Sequence, residues 1–265
     1  MGRLAVDQVL AVRFEGRRRG GLLLIEVKEV SKQFGTITAV RDLTFRVEEG
    51  EVYGLLGENG AGKTTTMRMM ATILAPTAGD IEISGFSVRH EPLEVRRRIG
   101  ILFGGEVGLY SRLTARENIA YFGSLYGLPP SRVQERIDSL SRILEMEPFI
   151  DRRVGAFSRG MKQKVAIART LVHDPDVILL DEPTTGLDVT AATIFRRMVT
   201  RLQEEGKTIL FSSHNMGEIN KLCKRVALIH KGRLRFSGGL DALRKQFGTD
   251  DLDDIFMAVV EGGEH

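Results

Sequence analysis

Residues 57–65 read GENGAGKTT, in which three closely spaced glycines are followed by a lysine and two threonines. Glycines at the spacing G-x-x-x-x-G-K-T let backbone N–H groups converge on a phosphate, because no side chain stands in the way. Lys63 is expected to place its charge near the β- and γ-phosphates, and Thr64 to coordinate Mg²⁺ through its hydroxyl. The pattern therefore predicts a polyphosphate-binding loop made of Gly57, Glu58, Asn59, Gly60, Ala61, Gly62, Lys63, Thr64 and Thr65.

A second run that could do chemistry is VILLDEP, residues 177–183, in which an apolar stretch ends in two acids. If the stretch is a buried strand of a parallel sheet, Asp181 lies at the carboxyl edge, where nucleotides bind in open α/β folds. Asp181 is then expected to hold Mg²⁺ through water, and Glu182 to orient or deprotonate an attacking water. The alternative is a polar strand end that caps the next turn, but the glycine loop upstream favours the metal interpretation.

Alternating strand and helix patterns place both runs in one sheet. A strand is predicted directly before Gly57, and helix-forming residues follow the loop over residues 63–74, up to the stop at Pro76. Such alternation is typical of a parallel sheet covered by helices. The elements predicted after the acids are a helix over 189–202, a strand over 208–211, a helix from Asn215 and a hairpin across 226–236.

The middle of the chain has helical patterns. Thr114 and Glu117 fit a capping box that opens a helix, and Gly127 with the following Pro129-Pro130 pair ends it. Residues from about 105 to 165 are therefore predicted to form a helical subdomain inserted in the α/β core. A second helix in it is predicted from apolar residues at helical spacing, namely Val133, Ile137, Leu140, Ile143 and Leu144.

The composition is that of an ordinary globular protein. Its 265 residues include 38 basic and 35 acidic ones, and the net charge of +3 is too balanced to favour nucleic acid as a partner. The single cysteine, Cys223, excludes an intramolecular disulfide, and no apolar run approaches the ~20 residues of a membrane-spanning helix. Residues 1–21 are expected to be a poorly ordered extension, and residues 240–265 a helical tail.

The segment FSRGMKQKVAIARTL, residues 157–171, resembles the signature motif of the ATP-binding cassette (ABC) family, L-S-G-G-Q or L-S-G-G-M-K-Q. Ser158, Gly160 and Met161 match this motif, whereas Phe157 and Arg159 depart from its commonest letters. Taken alone, the segment predicts a helix that Ser158 caps and that carries an apolar stripe. An ordinary capped helix is the alternative, but it does not explain the order of all the motifs.

Further residues resemble the family's other motifs in the family's order. Gly186-Leu187-Asp188 resembles the D-loop, and Ser212-Ser213-His214 resembles the switch histidine, which implies that His214 contacts the γ-phosphate. Phe34 aligns with the aromatic residue that stacks on adenine, with a buried or strand-end aromatic as the alternative. The resemblance extends over residues from about 24 to 236.

One departure concerns the Q-loop, where the family usually has a glutamine. This chain reads IGILFGGEVGLY, with Gly104 or Gly105 at the expected place. Either Glu106 substitutes as a polar link to metal or water, or the loop works through its backbone alone.

The resemblance implies a P-loop NTPase (RecA-like) core with an N-terminal antiparallel β subdomain and an inserted α-helical subdomain. This ATP-binding cassette domain is expected over residues 22–239. It also implies an ATPase that pairs head to tail with a second ATP-binding subunit, as a homodimer, and binds ATP and Mg²⁺ between the two chains. Besides the glycine loop, the residues expected to contact nucleotide are Phe34, Ser158, Arg159, Gly160, Met161, Asp181 and Asp188, with Lys63, Glu182 and His214 as the catalytic group.

Three stretches resemble the ABC-2 exporter branch, which includes sodium, drug and polysaccharide exporters: LYSRLTARENI, YFGSLYG and DDLDDIF. This resemblance implies an ATPase at the cytoplasmic face of the cell membrane that powers export through a separate permease. The alternative is a soluble mechanoenzyme that acts on ribosomes, nucleic acid or an assembly complex. A P-loop kinase or GTPase is disfavoured, because it needs neither the signature segment nor the switch histidine.

Overall fold

The computed structural model describes residues 23–104 and 108–261. The expectations for residues 1–21, Gly105 and Glu106 lie outside this range. The strands are β1 (Leu23–Phe34), β2 (Ile37–Glu48), β3 (Val52–Leu56), β4 (Ala78–Ile83), β5 (Phe86–Ser87), β6 (Ile99–Leu102), β7 (Val177–Asp181), β8 (Thr208–Ser213), β9 (Arg225–His230) and β10 (Arg233–Gly239). The helices are α1 (Lys63–Met70), α2 (Pro92–Arg98), α3 (Ala115–Leu125), α4 (Pro130–Ile143), α5 (Arg159–Leu171), α6 (Val189–Glu204), α7 (Met216–Leu222), α8 (Leu240–Phe247) and α9 (Leu252–Glu261).

The strands form two sheets, and together they confirm the predicted α/β class with its antiparallel β subdomain. One sheet has the order β2-β1-β4-β5, and its strand pairs are antiparallel. The other has the order β10-β9-β3-β8-β7-β6 and is parallel except for the hairpin of β9 and β10. The predicted hairpin near the end of the chain is therefore present.

The parallel sheet is buried on both faces. Every residue of β3, β7 and β8 is buried, as expected of strands that helices or another sheet cover on each side. Successive residues of β7 belong to different apolar clusters: Ile178 and Leu180 to one, Val177 and Leu179 to the other. Since successive side chains of a strand point to opposite faces, the two clusters lie on the two sides of this sheet.

Helix α1 is shorter than the sequence predicts: it ends at Met70, whereas the prediction placed its end near residue 74. The chain leaves the helix at Thr72, whose φ of 59° lies in the left-handed region. Arg96 from α2 donates a hydrogen bond to the hydroxyl of Thr72 at 2.6 Å, so a long-range contact fixes this turn.

Helices α3, α4 and α5 lie between β6 and β7 in the chain, where the sequence predicts helices. The capping box is confirmed, since the Thr114 hydroxyl accepts from Glu117 N at 3.1 Å and Glu117 Oε2 accepts from Thr114 N at 2.7 Å. Helix α5 returns the chain to the sheet, where Thr170 donates to the carbonyl of Ile101 at 3.0 Å. The helical part is therefore attached directly to the edge strand β6.

Replacing Thr114 with alanine should lower the free energy of unfolding by about 1 kcal/mol, because α3 loses the side chain that caps it. Equilibrium unfolding in urea measures this change. Thr114→Ser is the matched control, since it keeps the hydroxyl and should retain most of the stability. If the alanine variant is as stable as the serine variant, the cap does not stabilise the helical part.

Candidate functional site

The register of the parallel strands brings three predicted segments to one edge of the sheet. Leu56, the last residue of β3, pairs with Ser213, and Asp181, the last residue of β7, pairs with Ser212. Because these strands are parallel, the segments that follow them leave the sheet side by side. The glycine loop, the acids and His214 therefore meet at the carboxyl ends of β3, β7 and β8.

The glycine loop is fitted tightly against neighbouring backbone. A Cβ on Gly62 would lie 2.8 Å from the carbonyl oxygen of Ala39, and one on Gly57 would overlap with the carbonyl of Ile229. Gly62 precedes α1 with a φ of 108°, and no side chain caps the first turn of the helix. The first N–H groups of a helix have no partner within the helix, so this loop is suited to bind an anion.

The other loop residues differ in exposure. Ala61 is buried, and its carbonyl accepts a hydrogen bond from Gly232 N at 3.0 Å. Thr64 and Thr65 are half-buried in the first turn of α1. Three exposed residues form the tip of the loop, namely Glu58, Asn59 and Gly60.

Lys63 connects the loop to the acids. Its side chain is only 4% exposed, and Nζ donates to the carbonyls of Gly57 at 2.6 Å and Glu58 at 3.0 Å. Nζ also lies 3.7 Å from Oε1 of Glu182. Burial lowers the pKa of Lys63, while the carboxylates of Glu182 and Asp181 oppose this shift. The ammonium is therefore held at the point where the loop faces the two acids.

Ser212 is a functional residue to which sequence reasoning assigned no separate role. Its Oγ donates to Oδ1 of the buried Asp181 at 2.6 Å and accepts from the backbone N–H of Glu182 at 3.0 Å. One hydroxyl thus orients both acids and leaves the second carboxylate oxygen of Asp181 for another partner. In the sequence, only the position of Ser212 two residues before His214 indicated that it lies near the site. Its contact with Asp181 depends on the pairing of β7 with β8, which the sequence alone does not give.

Glu182 lies between two basic groups. Its Oε1 is 3.3 Å from Nδ1 of His214 and 3.7 Å from Nζ of Lys63. The backbone of Glu182 is left-handed, with a φ of 45°, which is uncommon for a residue other than glycine and is frequent at functional sites. The side chain of His214 is half-exposed, so the pair of Glu182 and His214 is accessible from solvent.

The oxygen ligands at this edge fit Mg²⁺ carried by a triphosphate. Within residues 23–104 and 108–261, no three histidine, cysteine or acidic side chains are grouped to hold a metal by themselves. The available groups are the carboxylate of Asp181 and the hydroxyl of Thr64, both hard oxygen donors. Mg²⁺ typically takes one or two protein oxygens and fills its remaining positions with waters and substrate phosphates.

Phe34 is 45% exposed and is the last residue of β1, so it is a strand-end aromatic and not a buried one. Its role at adenine stays a prediction. The Nζ of Lys32 lies 5.1 Å from the centre of its ring. The neighbouring strand β2 carries Ala39, whose carbonyl faces Gly62 of the glycine loop. The exposed ring therefore belongs to a hairpin that borders the loop.

The signature segment begins helix α5. Ser158 caps α5 by accepting from Met161 N at 3.3 Å, and Asp188 caps α6 by accepting from Ala191 N at 2.7 Å. A Cβ on Gly160 would lie 3.8 Å from that of Ala191, so the two helix N-termini are adjacent. Arg159 is exposed, and its Nη2 donates to the carbonyl of Thr185 at 2.7 Å.

The structure brings some of the predicted residues into direct contact. Lys63, Glu182 and His214 are joined by ion pairs, and Asp181 lies beside them at the end of β7. Within residues 23–104 and 108–261, no hydrogen bond or ion pair joins residues 158–161 to the glycine loop or to the two acids. The start of α5 instead contacts the segment after Glu182, through the bond from Arg159 to Thr185.

Gly104 occupies the position where the sequence departs from the family pattern. A Cβ there would lie 2.9 Å from the carbonyl oxygen of Asp181 and 3.5 Å from Cβ of Glu182. The chain therefore passes directly against the two acids, at a distance that favours glycine. What replaces the glutamine stays a prediction, because residues 105–107 lie outside the described range.

Comparisons with known proteins identify the family of the chain. A family model described as ABC transporter matches residues 40–185. The ABC transporter ATP-binding protein NatA of Bacillus subtilis is 50% identical over 244 residues, which cover 91% of this chain and 99% of NatA. The Nod factor export ATP-binding protein I of Paraburkholderia xenovorans is 39% identical over 230 residues, covering 86% of this chain and 75% of that protein.

A solved structure with the same fold is a dimeric ATP-binding cassette, MJ0796, in a post-hydrolysis state bound to ADP and Pi. It has a TM-score of 0.73 and 26% identity, and the match covers 82% of this chain and 98% of that chain. No helix within residues 23–104 and 108–261 is long and apolar enough to cross a membrane. The expectation of an ATPase of this kind is confirmed: the chain belongs to the ABC transporter family and is an ATP-binding, ATP-hydrolysing subunit.

Proposed function

We propose that the chain closes as one of two identical subunits around ATP and thereby drives export through a separate membrane permease. The observation that carries this proposal is that two helix N-termini are present and the cluster uses one of them. Lys63, at the start of α1, contacts Glu182, whereas Ser158 caps α5 and, within the described residues, forms no bond with the glycine loop or the acids. A second chain arranged head to tail would place its Ser158 opposite the first chain's glycine loop.

In this arrangement the cluster performs the chemistry on one face of ATP. Lys63 and the N–H groups of the loop bind the phosphates, and Thr64 and Asp181 hold Mg²⁺, which neutralises charge on the phosphate oxygens. Glu182 orients and deprotonates the attacking water, and His214, whose Nδ1 lies 3.3 Å from Oε1 of Glu182, contacts the γ-phosphate. Ser212 keeps the two acids in place for these roles.

The partner chain completes the site from the opposite face. Ser158, Arg159, Gly160 and Met161 of one chain meet the ATP that the other chain's loop holds, with Asp188 beside them, and Phe34 stacks on the adenine ring. The similarity to the MJ0796 dimer, which holds ADP and Pi, supports a two-chain arrangement.

An exposed aromatic patch on the helical part is suited to receive a permease. The patch consists of Tyr110, Tyr121, Leu125 and Tyr126, and their exposed fractions range from 41% to 62%. The rings of Tyr110 and Tyr121 meet edge to face, with centroids 5.3 Å apart. Exposed apolar surface of this kind suits an interaction site. We propose that the loop and helices over residues from about 100 to 130, which include the patch, transmit the motion of the chain to the permease.

Transport by export is the function that the relatives support. The Nod factor protein is named for export, and neither it nor NatA is named for work on ribosomes or nucleic acid, so the mechanoenzyme alternative is not favoured. With a permease as partner, the chain works at the cytoplasmic face of the membrane. Residues 22–239 form its cassette domain, with the helical subdomain at about 105–165 and the tail at 240–265.

Replacing Glu182 with glutamine should slow ATP turnover by about 10²- to 10⁴-fold, because the amide cannot accept the proton of water. ATP binding should persist, since the loop and Lys63 are unchanged, and an ATP-bound dimer should accumulate. Steady-state hydrolysis and size-exclusion chromatography with ATP measure the two effects. Glu205→Gln, at an exposed acid after α6, is the control. Normal turnover by Glu182→Gln would remove the residue from this role.

Two inactive variants should restore activity when they are mixed. Ser158→Arg blocks the α5 side of the site and Lys63→Ala the loop side, so each should be inactive alone while separated Ser158→Arg chains still bind ATP. A mixed dimer contains one site with neither change, and hydrolysis should reappear on mixing. A chain that carries both changes is the control, because it can form no intact site with itself. Hydrolysis by that doubly changed chain would contradict the shared site.

Replacing Leu125 with glutamate should weaken permease binding, because a charge enters the aromatic patch. Co-purification from detergent-solubilised membranes measures the binding, and the basal ATPase rate should stay unchanged. Met257→Glu, a matched change at a 50%-exposed residue of α9, should leave the permease bound. Equal recovery of the permease with both variants would place the docking surface elsewhere.

A further inference from the structure

Only two acidic side chains are buried among residues 23–104 and 108–261, and the site described above uses one of them. Asp181 is 5% exposed at the end of β7, whereas Glu218 is 8% exposed and lies in α7. No basic side chain in the described part of the chain forms an ion pair with Glu218. Burying a carboxyl group costs free energy unless hydrogen bonds compensate, so the partners of Glu218 indicate what it does.

The side chain of Glu218 binds the segment that follows Glu182. Its Oε2 accepts a hydrogen bond from the hydroxyl of Thr184, which lies 34 residues earlier in the chain. Thr184 belongs to a turn that starts at Glu182, since Thr185 N donates to the carbonyl of Glu182 at 3.2 Å. The carboxyl group therefore holds the turn that begins with Glu182 against α7.

The backbone of Glu218 is connected to the chain around His214. Its N–H donates to Oδ1 of Asn215 at 3.3 Å, and Asn215 caps α7 directly after His214. The N–H of Asn215 in turn donates to the hydroxyl of Ser213 at 3.0 Å, so the residues on either side of His214 are bonded to each other. Glu218 thus contacts both the turn after Glu182 and the helix cap after His214.

Glu182 needs such support because its backbone is strained. A φ of 45° costs free energy for a residue other than glycine, and it persists only where several contacts hold it. Ser212 supplies contacts at Glu182 itself, since its hydroxyl and its carbonyl both accept from Glu182 N, at 3.0 and 3.2 Å. The bond from Thr184 to Glu218 supplies the contact that follows the strained residue.

We infer that Glu218 is a positioning residue: through Thr184 and the cap of α7, it holds Glu182 and His214 at their distance of 3.3 Å from Oε1 to Nδ1. The inference rests on the proposed function, in which Glu182 acts on the attacking water and His214 contacts the γ-phosphate. Without the bond, the turn after Glu182 can move away from α7 and the carboxylate loses its alignment. Misplacement of a catalytic group by about 1 Å costs up to roughly 10²-fold in rate.

Thr184→Val tests the bond, because valine keeps the shape of the side chain and removes the hydroxyl. We expect kcat for ATP hydrolysis to fall by about 10- to 100-fold. KM should change little, because the glycine loop and Lys63 are intact. Thr184→Ser restores a hydroxyl and should recover most of kcat. The matched control is Thr200→Val, at an exposed threonine whose hydroxyl bonds to a carbonyl of its own helix, and it should behave as the unaltered chain.

A double variant separates positioning from stability. Thr184→Val alone leaves the buried carboxyl group of Glu218 without its hydroxyl partner, so it should lower the Tm. In Thr184→Val/Glu218→Met both polar groups are replaced by apolar ones of similar size, which should restore most of the Tm. The kcat should stay low in the double variant, because no bond holds the turn against α7. If Glu218 only stabilised the fold, activity would return together with stability.

Two results would overturn the inference: Thr184→Val with an unchanged kcat, or a double variant whose kcat recovers along with its Tm. Glu182→Gln shows which proposal has failed. If Glu182→Gln hydrolyses ATP at the normal rate, the proposed function is wrong and the role of Glu218 falls with it. If Glu182→Gln is slow while Thr184→Val is fully active, only the role of Glu218 is rejected.

Discussion

The parallel register of β3, β8 and β7 is the constraint on which the whole site depends. It pairs Leu56 with Ser213 and Asp181 with Ser212, so the glycine loop, the acids and His214 start from adjacent strand ends. A shift of one residue in a strand would turn its side chains to the opposite face of the sheet. The strands cannot slip, because both faces of the sheet are buried in apolar clusters and the alternation fixes the register.

The electrostatics of the cluster suit it to a polyphosphate. Lys63 donates to neutral carbonyls of its own loop, and the carboxylate of Glu182 lies within 4 Å of both Lys63 and His214. A phosphate offers Lys63 a charged acceptor, and charge-assisted hydrogen bonds are stronger than those to carbonyls. Burial lowers the pKa of this lysine and adds to the benefit of an anionic partner. In the proposed mechanism, a bound phosphate draws Lys63 away from Glu182, which frees the Glu182 carboxylate to act on the attacking water.

Local signals predicted most of the fold, whereas long-range contacts escaped them. The capping box at Thr114, the cap at Ser158 and the buried strand ending at Asp181 each depend on neighbouring residues, and the structure contains all three. The sequence placed the end of α1 near residue 74, and this prediction was wrong. The turn at Thr72 is held by a hydrogen bond from Arg96 on α2, which local patterns do not reveal. The bonds from Ser212 to Asp181 and from Arg159 to Thr185 span 31 and 26 residues, and no local pattern encodes either. Sequence reasoning therefore found the groups of the site but not what holds them in place.

The dependence of ATP hydrolysis on a second chain is the central claim, and a dilution series tests it most directly. ATPase activity per chain is measured at each concentration, alongside the fraction of dimer determined by light scattering with ATP present. The account predicts that activity per chain falls in proportion to the dimer fraction as the protein is diluted. Undiminished activity per chain in a solution that contains only monomers would contradict it.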